Sequence, residues 1–461
     1  MYRSSCKVPG KKGGAAMKNR LDQDFTLGGL LRFATPTTIM MLVTSLYTIV
    51  DGILTSRLVG ENALAAINIA YPAVSVVLAA GIMLGTGGSA VVSHRMGAGD
   101  LEGARHTFGF LAVTAVCIGA VFSLLAAFGA EPLARLLGAS DLLLADTTCY
   151  LRILLLFTPM SMLQLLFESF FVAAGRPGLG LGLTIAAGLT NGVLDWLYMG
   201  PLQMGIAGAA IATVTGYCIP SACGVVFFLC RKQGLKFARP RLDWRLLGRA
   251  CFNGSSEMVT NLSTAVTTFF FNAIMLELLG EAGVAAITII LYAQFLLVSL
   301  FLGFSMGVAP VFSFNLGAER YDRLRATFRH CTRFILCAAV GILAASLLLA
   351  PVIVGVFSPE GTTVYALALE GFHLFSPTFL FAGINIFASA LFTALSDGRT
   401  SALISFARTF GFLMAGLLLL PRIIGGTGVW IAVPVAEAVS CLLSIGFLWH
   451  YRAKFGCGTP S

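Results

Sequence analysis

Long apolar stretches recur along the whole chain, and each exceeds the roughly 18 residues that a helix needs to cross the hydrocarbon core of a bilayer. Of the 461 residues, 57% are hydrophobic and 11% are charged, whereas soluble domains carry about 25% charged residues. We therefore predict an all-α polytopic membrane protein. Its twelve transmembrane helices are expected at about 31–54, 64–92, 106–130, 147–173, 179–200, 207–230, 248–276, 283–314, 328–356, 366–394, 402–421 and 427–450.

The net charge of +9 is distributed unevenly among the loops. Arg and Lys concentrate in the N-terminal tail and in alternate loops, above all in the central "CRKQGLKFARPRLDWRLLGR". The other loops hold only Arg57, Arg135, Arg152 and Arg422. The positive-inside rule therefore predicts that both termini and residues 231–249 face the cytoplasm. This placement indicates a membrane protein rather than one that binds nucleic acid.

These boundaries predict a domain organisation for a multi-pass protein of the plasma (inner) membrane. No apolar signal-peptide region precedes the first span. We expect a disordered basic cytoplasmic tail, an N-lobe with helices 1–6, a cytoplasmic linker, a C-lobe with helices 7–12, and a second cytoplasmic tail. The corresponding ranges are 1–28, 29–230, 231–247, 248–450 and 451–461.

The two halves of the chain are related by an internal repeat. "LVGENALAAINIA", starting at Leu58, resembles "LLGEAGVAAITII", starting at Leu278, at an offset of 220 residues. The same offset relates Gly97 to Gly317 without a gap. With six spans in each half, the two bundles are expected to be related by a pseudo-two-fold axis along the membrane normal. A central cavity between two such lobes favours alternating-access transport.

Asp51 lies deep in the first predicted span, where an ionised carboxylate costs at least about 2.5–3.5 kcal/mol at the bilayer centre. Asn191 and Asp195 reach a similar depth in the fifth span, and their i, i+4 spacing places them on one helical face. Thr213 in the sixth span lies at the same level. Oxygen ligands of these types suit Na+, and the two carboxylates could alternatively hold a proton. The simpler alternatives are a helix cap or an interfacial charge beside Arg57 for Asp51, and a hydroxyl bonded to its own helix for Thr213.

The repeat provides an internal control for this cation or proton site. At the offset of 220, the equivalents of the first three residues are Phe271, Gly411 and Ala415. A residue kept for scaffold symmetry would be expected in both copies. The asymmetry therefore favours a task that one lobe performs.

Other charges are predicted at membrane depth in the second half. Glu257 and Arg408 lie at similar depths, and we expect them to form a structural ion pair, with a role in coupling or substrate contact as the alternative. Glu168 and Glu437 fit either packing or a transport pathway. No spacing typical of a metal site or a catalytic nucleophile occurs, so enzymatic activity is not expected.

Three stretches resemble the multidrug and toxic compound extrusion (MATE) family, in its prokaryotic form. They are "LYTIVDGILTSRLVGENALAAINIAYP", "NGVLDWLYMGPLQMGIAGAAIATVTG" and "LFTALSDGRTSALISFARTFGFLMAGLLLLPRIIGGTGVWIAVPVAE". The resemblance implies antiport of amphipathic, often cationic, compounds against Na+ or H+. It also implies a monomer in the bilayer that needs no cofactor beyond the coupling ion.

The resemblance assigns roles to individual residues. Asp51, Asn191, Asp195 and Thr213 match the N-lobe cation site of prokaryotic members. Some members carry a functional Glu on helix 7 about two turns beyond Glu257, near Thr264 in this sequence. This departure leaves the role of Glu257 open.

Two other classes of function remain at this stage. A flippase for a lipid-linked substrate would favour a strongly cationic cavity and extra helices, and neither is evident in the sequence. A channel or receptor would favour pore-lining residues in both copies of the repeat. The one-sided placement of Asp51 argues against that class.

The predicted topology can be tested by thiol labelling in intact cells. Cys457 and a cysteine introduced by Gly234→Cys should resist impermeant reagents, because both positions are predicted to face the cytoplasm. Asp141→Cys, between the third and fourth spans, is the accessible control. Labelling of Cys457 from outside would contradict the predicted orientation.

Overall fold

The computed structural model describes residues 21–451, and every regular element in this range is a helix. The predicted tails, residues 1–28 and 451–461, therefore lie largely outside the described residues. The helices are α1 Leu27–Leu58, α2 Glu61–Gly97, α3 Leu101–Leu136, α4 Leu144–Leu156, α5 Thr158–Ala173, α6 Pro177–Met199, α7 Gly205–Cys230, α8 Trp244–Gly317, α9 Tyr321–Leu348, α10 Ala350–Phe357, α11 Thr363–Phe375, α12 Thr378–Ala394, α13 Gly398–Phe406, α14 Met414–Ile424 and α15 Gly426–Tyr451. A π-helix, Ala407–Leu413, joins α13 to α14.

These helices form the twelve spans that the sequence predicts. The long α8 contains two of them, because Gly280 has a positive φ of 65° and interrupts the helix. The pairs α4/α5 and α11/α12 are single spans bent by 56° and 54°. The segments α13, the π-helix and α14 together make one span, Gly398–Ile424. The predicted fold of two six-helix bundles is confirmed.

The repeat is visible in the shape of the spans as well as in the sequence. The bend in the fourth span lies at Phe157, and the bend in the tenth lies at Pro377, which is 220 residues further along. Each bend has a proline at or beside it, Pro159 in the first case. Proline lacks a backbone N–H and crowds the preceding turn, so it interrupts the helix there. The two lobes thus share a bent inner helix.

The lobes pack most closely at one end of the bundle. We call it the basic end; it is formed by residues 97–101, 173–177, 231–243, 317–321 and 394–398. A Cβ added to Gly97 would lie 2.0 Å from the carbonyl oxygen of Phe314, and one added to Gly317 would lie 2.0 Å from that of His94. These two contacts are repeat equivalents, so the backbones of α2 and α8 touch around the pseudo-two-fold axis.

Further close contacts continue this seam toward the middle of the bundle. A Cβ on Gly254 would lie 2.1 Å from the carbonyl oxygen of Met83. A Cβ on Gly303 would lie 2.5 Å from the Cα of Thr38. Close backbone packing through glycine is a common way for membrane helices to associate. The lobes are therefore closed against each other in the half of the bundle nearest the basic end.

The central linker is docked on the N-lobe. Phe237 stacks on Phe108 with ring centroids 4.8 Å apart, and Leu235 is buried. The Nε of Arg105 donates to the carbonyl oxygen of Gly234 at 2.8 Å. Most of the predicted tether is therefore part of the N-lobe surface, because its apolar side chains fill a pocket among the N-lobe phenylalanines.

The segment before α1 contacts the opposite lobe. Leu21 is buried, and Asp22 forms an ion pair with Arg323 at 2.8 Å. Asp22 also pairs with Arg320, and Asp24 pairs with Arg323. Residues 21–26, which the sequence assigns to a disordered tail, are thus anchored by charge on α9 of the C-lobe.

The glycine seam predicts a specific effect of adding one methyl group. Gly97→Ala or Gly317→Ala should lower the thermal stability of the purified protein by the equivalent of about 1–3 kcal/mol, because the backbone of the facing helix must move. The basic end should also become more accessible to thiol reagents. Gly446→Ala is the matched control, since nothing lies within 4 Å of its added Cβ.

Helical Gly446→Ala should be neutral or stabilising by up to about 1 kcal/mol, because alanine loses less conformational freedom on folding. Equal stability of all three variants would contradict the tight seam.

Candidate cation site

Two contacts place Asp51 of α1 level with the predicted site residues of α6. Nearer the basic end, a Cβ on Gly188 would lie 3.3 Å from the ring of Tyr47. Nearer the opposite end, the Thr55 hydroxyl lies 3.7 Å from the sulfur of Met199. Asp51 lies one turn from both Tyr47 and Thr55. It therefore faces the stretch of α6 between Gly188 and Met199.

Two further contacts place Thr213 of α7 at the same level. A Cβ on Gly216 would lie 3.5 Å from the Cβ of Asn191, and one on Gly208 would lie 2.9 Å from the Cβ of Tyr198. Thr213 lies between these two glycines. The structure thus brings all three predicted helices together at one depth, as the spacing in the sequence predicts.

The polar groups at this level are buried and poorly satisfied. Asp195 is 0% exposed and Asn191 is 5% exposed, whereas Asp51 is half-buried. Among the described residues, no hydrogen-bond partner reaches Oδ1 of Asp51, either carboxylate oxygen of Asp195, or Nδ2 of Asn191. Unsatisfied buried polar atoms are rare, and each calls for an explanation.

The carboxyl groups of Asp51 and Asp195 are close enough to influence each other electrostatically. Two ionised carboxylates have no donor to share, so a hydrogen bond between them requires a proton on one of them. A cation between them would satisfy the same oxygens. Either a proton or a cation can therefore compensate the two carboxylates, and replacing one with the other breaks no hydrogen bond to the protein.

The Thr213 hydroxyl donates to the carbonyl oxygen of Ala209 at 3.0 Å. This back-bond is the alternative that the sequence leaves open for a threonine in a helix. It consumes the hydroxyl proton and leaves the oxygen lone pairs available as acceptors. With two aspartates and Asn191, the site offers oxygen ligands of the types that hard cations such as Na+ prefer.

Three tyrosines that the sequence patterns do not single out lie near enough to the carboxylate pair to act on it electrostatically. Tyr150 interacts electrostatically with both Asp51 and Asp195, and Tyr47 and Tyr217 each interact with Asp51. The available sequence signal is spacing, because Tyr47 precedes Asp51 by one helical turn. Phenolic hydroxyls can donate to carboxylates, so these side chains extend the polar cluster inward.

Glu168 of α5 belongs to the same cluster. It is 8% exposed and accepts a hydrogen bond from Nε2 of Gln164 at 3.1 Å. It also interacts electrostatically with Tyr47 and Tyr217. A third buried carboxyl group therefore lies within the N-lobe.

The repeat-equivalent positions in the C-lobe have a different character. Phe271 is 1% exposed in the apolar core, Gly411 lies in the π-helix, and Ala415 lies in α14. None of them carries an ionisable group. The carboxylate pair is confined to one lobe.

The C-lobe contains a buried ion pair that differs from the one predicted. Arg408 pairs with Glu437 of α15, with Nη2 and Nε 2.6 and 2.8 Å from Oε1. Asn385 donates to the second oxygen of Glu437 at 2.7 Å and accepts from Ser444 at 2.9 Å. Glu257, the expected partner, acts on Arg408 only at longer range. Similar depth did not identify the partner, because α15 presents its own carboxylate closer to the guanidinium.

A pocket of about 300 Å³ lies beside the glycine seam at the basic end, lined by residues of both lobes. Its basic lining residues are His94, Arg95 and Arg249. It contains no member of the carboxylate pair or of the Arg408 network. Within residues 21–451, no group of three or more His, Cys, Asp or Glu side chains forms a candidate metal centre.

The chain matches known proteins over nearly its full length. The MatE family profile matches residues 36–197 and 258–416. The multidrug export protein MepA of Staphylococcus saprophyticus is 22% identical over 448 residues, covering 92% of this chain and 94% of the relative. MepA of Staphylococcus haemolyticus is 24% identical over 444 residues, covering 92% of this chain and 94% of that protein.

Solved structures show the same fold. A MATE crystal structure in complex with MaL6 superposes with a TM-score of 0.89 at 22% identity, covering 96% of this chain and 99% of the other. A multidrug resistance MATE family transporter of the MOP superfamily in an outward-facing conformation gives a TM-score of 0.89 at 21% identity, with the same coverage. The family match spans both lobes of the repeat and includes the helices that carry the carboxylate pair. The chain belongs to the MATE family, whose members are membrane transporters.

Proposed function

We propose that this protein is a secondary active antiporter that exports amphipathic, cationic drugs or metabolites in exchange for Na+ or H+. The observation that carries the proposal is the carboxylate pair in one lobe, in which both oxygens of the fully buried Asp195 and Oδ1 of the half-buried Asp51 have no hydrogen-bond partner among the described residues. The names of the MepA relatives, which describe multidrug export, support the substrate class. In this proposal, the protein works in the plasma membrane with both termini in the cytoplasm.

The glycine seam supports alternating access. It closes the lobes against each other over the half of the bundle nearest the basic end, which the charge bias assigns to the cytoplasm. The conformation therefore corresponds to an outward-facing state. Opening to the cytoplasm requires that the Gly97, Gly317 and Gly254 contacts separate as the lobes rock.

The carboxylate pair supports coupling to a cation gradient. Cation binding changes the net charge of the cluster and the attraction between α1 and α6, which carry the two aspartates. A ligand shifts a conformational equilibrium only when it binds the two states unequally. Cation entry from outside would draw α1 toward α6 and α7, reduce the space available to substrate, and favour return to the inward-facing state.

Charge-neutralising variants test the coupling role. Asp51→Asn and Asp195→Asn should each lower gradient-driven efflux from proteoliposomes by roughly tenfold or more, since coupling between sites commonly spans about 5–150-fold in affinity. Both variants should remain folded, because Asn has nearly the shape of Asp and no described residue donates to Asp195 or to Oδ1 of Asp51. Efflux is measured with Na+ and pH gradients imposed separately.

Two controls accompany these variants. Asp141→Asn removes an exposed carboxylate from the same lobe, with only a surface pair to Arg135 at 3.6 Å, and should retain normal efflux. Phe271→Leu alters the repeat equivalent of Asp51 and should change stability more than coupling. If Asp51→Asn and Asp195→Asn both export at the wild-type rate with unaltered dependence on Na+ and pH, the coupling assignment is wrong. Efflux of substrate without counterflow would indicate a channel.

A further inference from the structure

The first half of α8, residues 244–279, carries a continuous polar stripe. Its members are spaced by 4, 3, 4 and 4 residues, which places them on one helical face. They are Glu257, Asn261, Thr264, Thr268 and Asn272. All five are half-buried or exposed in the structure. A membrane helix does not present such a face to lipid, so the stripe lines protein or water.

The burial pattern places the inner end of this stripe where the tight contact between the lobes ends, and we call this level the floor of the cleft between the lobes. Gly254, one turn before Glu257, still touches Met83 of α2 backbone to backbone. Asn253 and Ser256 are also buried, whereas residues 257–262 are all half-buried. The lobes thus part at Glu257, and the stripe continues from there toward the opposite end of the bundle.

The repeat supports the same placement. Thr264 and Thr268 are the equivalents of Thr44 and Thr48 on α1, at the offset of 220. These two positions are therefore polar on both α1 and α8, as expected for two helices that face each other across the axis, whereas Asn261 and Asn272 correspond to Met41 and Gly52. Glu257 has no acidic counterpart, because its equivalent is Thr37.

The charges near Glu257 do not balance. Arg408 is held by Glu437 at 2.6 Å, and Asn385 satisfies the second oxygen of Glu437. No described residue forms an ion pair or a hydrogen bond with the Glu257 side chain; Asn261 donates only to its backbone carbonyl, at 2.9 Å. The guanidinium of Arg408 thus neutralises Glu437 alone, and the negative charge of Glu257 is left at the floor of the cleft.

The backbone around Arg408 is also unusual. Arg408 lies in the π-helix Ala407–Leu413, and short π-helical segments are rare and are often found at functional sites. The guanidinium of Arg408, which this widened turn carries, forms the ion pair with Glu437 of α15. Glu437 is thereby neutralised, which leaves Glu257 as the single uncompensated charge of this cluster.

We propose that Glu257 binds the positively charged group of the exported compound, and that the single uncompensated charge selects large monovalent organic cations. The polar stripe from Asn261 to Asn272 supplies hydrogen-bond acceptors along the path out of the cleft. This inference rests on the proposed export function, but it concerns a site in the opposite lobe from the carboxylate pair. Substrate recognition and cation coupling are then assigned to different lobes.

The inference is tested with two probe ions of similar size and opposite charge, tetraphenylphosphonium and tetraphenylborate. Equilibrium dialysis on the purified full-length protein measures the binding of each. Glu257→Gln should weaken tetraphenylphosphonium binding by roughly tenfold or more, because it removes the negative charge that the Arg408–Glu437 pair leaves uncompensated. It should leave tetraphenylborate binding unchanged or stronger. Glu257→Asp, which keeps the charge, should retain most of the cation affinity.

Glu277→Gln is the matched control, since it neutralises an exposed glutamate in the same half of α8 and should bind both probes as the wild type does. Unchanged tetraphenylphosphonium binding by Glu257→Gln would overturn the inference. An equal loss of affinity for both probes in Glu257→Gln would also overturn it, because that result would indicate a structural role. Equal affinity of the wild type for both ions would overturn it as well.

The binding assay also separates this inference from the proposed function. Asp51→Asn should still bind tetraphenylphosphonium in a manner that depends on Glu257, while losing coupled efflux. If the wild type shows no gradient-driven efflux but binds the cation selectively through Glu257, then the antiport proposal fails and the binding site stands.

The ion pair of Arg408 and Glu437 predicts how the melting temperatures of four variants should compare. Arg408→Gln and Glu437→Gln should each lower the melting temperature of the purified protein, because each leaves a buried charge without its partner. The double variant should recover part of the loss. Glu257→Gln should melt as the wild type does, since its side chain has no partner. A large drop for Glu257→Gln would contradict its assignment as a free carboxylate.

Discussion

The carboxylate pair of Asp51 and Asp195 is the interaction on which the account of this transporter depends. Burial of two acidic groups side by side is unfavourable unless a proton or a cation accompanies them. The surrounding helices hold the pair at one depth but provide no donor to Asp195. In the proposed function, the charge state of the N-lobe depends on an ion from solution, and the transporter couples that dependence to movement of its lobes.

The duplication preserved the scaffold and let the chemistry diverge. The bent fourth and tenth spans and the contacts of Gly97 and Gly317 obey the offset of 220 residues. The bent spans define the shape of each lobe, and the glycine contacts form the seam about which the lobes move in the proposed function. The ionisable groups do not obey it: Glu437 is the equivalent of Tyr217, and Asp51 is the equivalent of Phe271. A symmetric mechanical frame thus carries two different polar clusters.

The sequence predicts the fold and the common depth of Asp51, Asn191, Asp195 and Thr213 well, because both depend on distances along single helices; that these residues bind a cation stays a prediction. Apolar length defines the spans, and the i, i+4 spacing of Asn191 and Asp195 places them together on α6. The sequence does not identify the partner of Arg408, because depth in the membrane says nothing about which way neighbouring helices are rotated. It also does not reveal that Phe237 docks the linker on the N-lobe, since that contact depends on a pocket built by distant residues.

The most direct test of the coupling claim is to measure the ions that the purified protein releases when it binds substrate. In antiport, substrate and cation oppose each other's binding by the same factor, since coupling between sites is reciprocal. Binding of tetraphenylphosphonium in weakly buffered solution should therefore release about one H+ or Na+ per protein at saturation, and Asp195→Asn should abolish the release. Saturable substrate binding with no release of either ion would contradict the account.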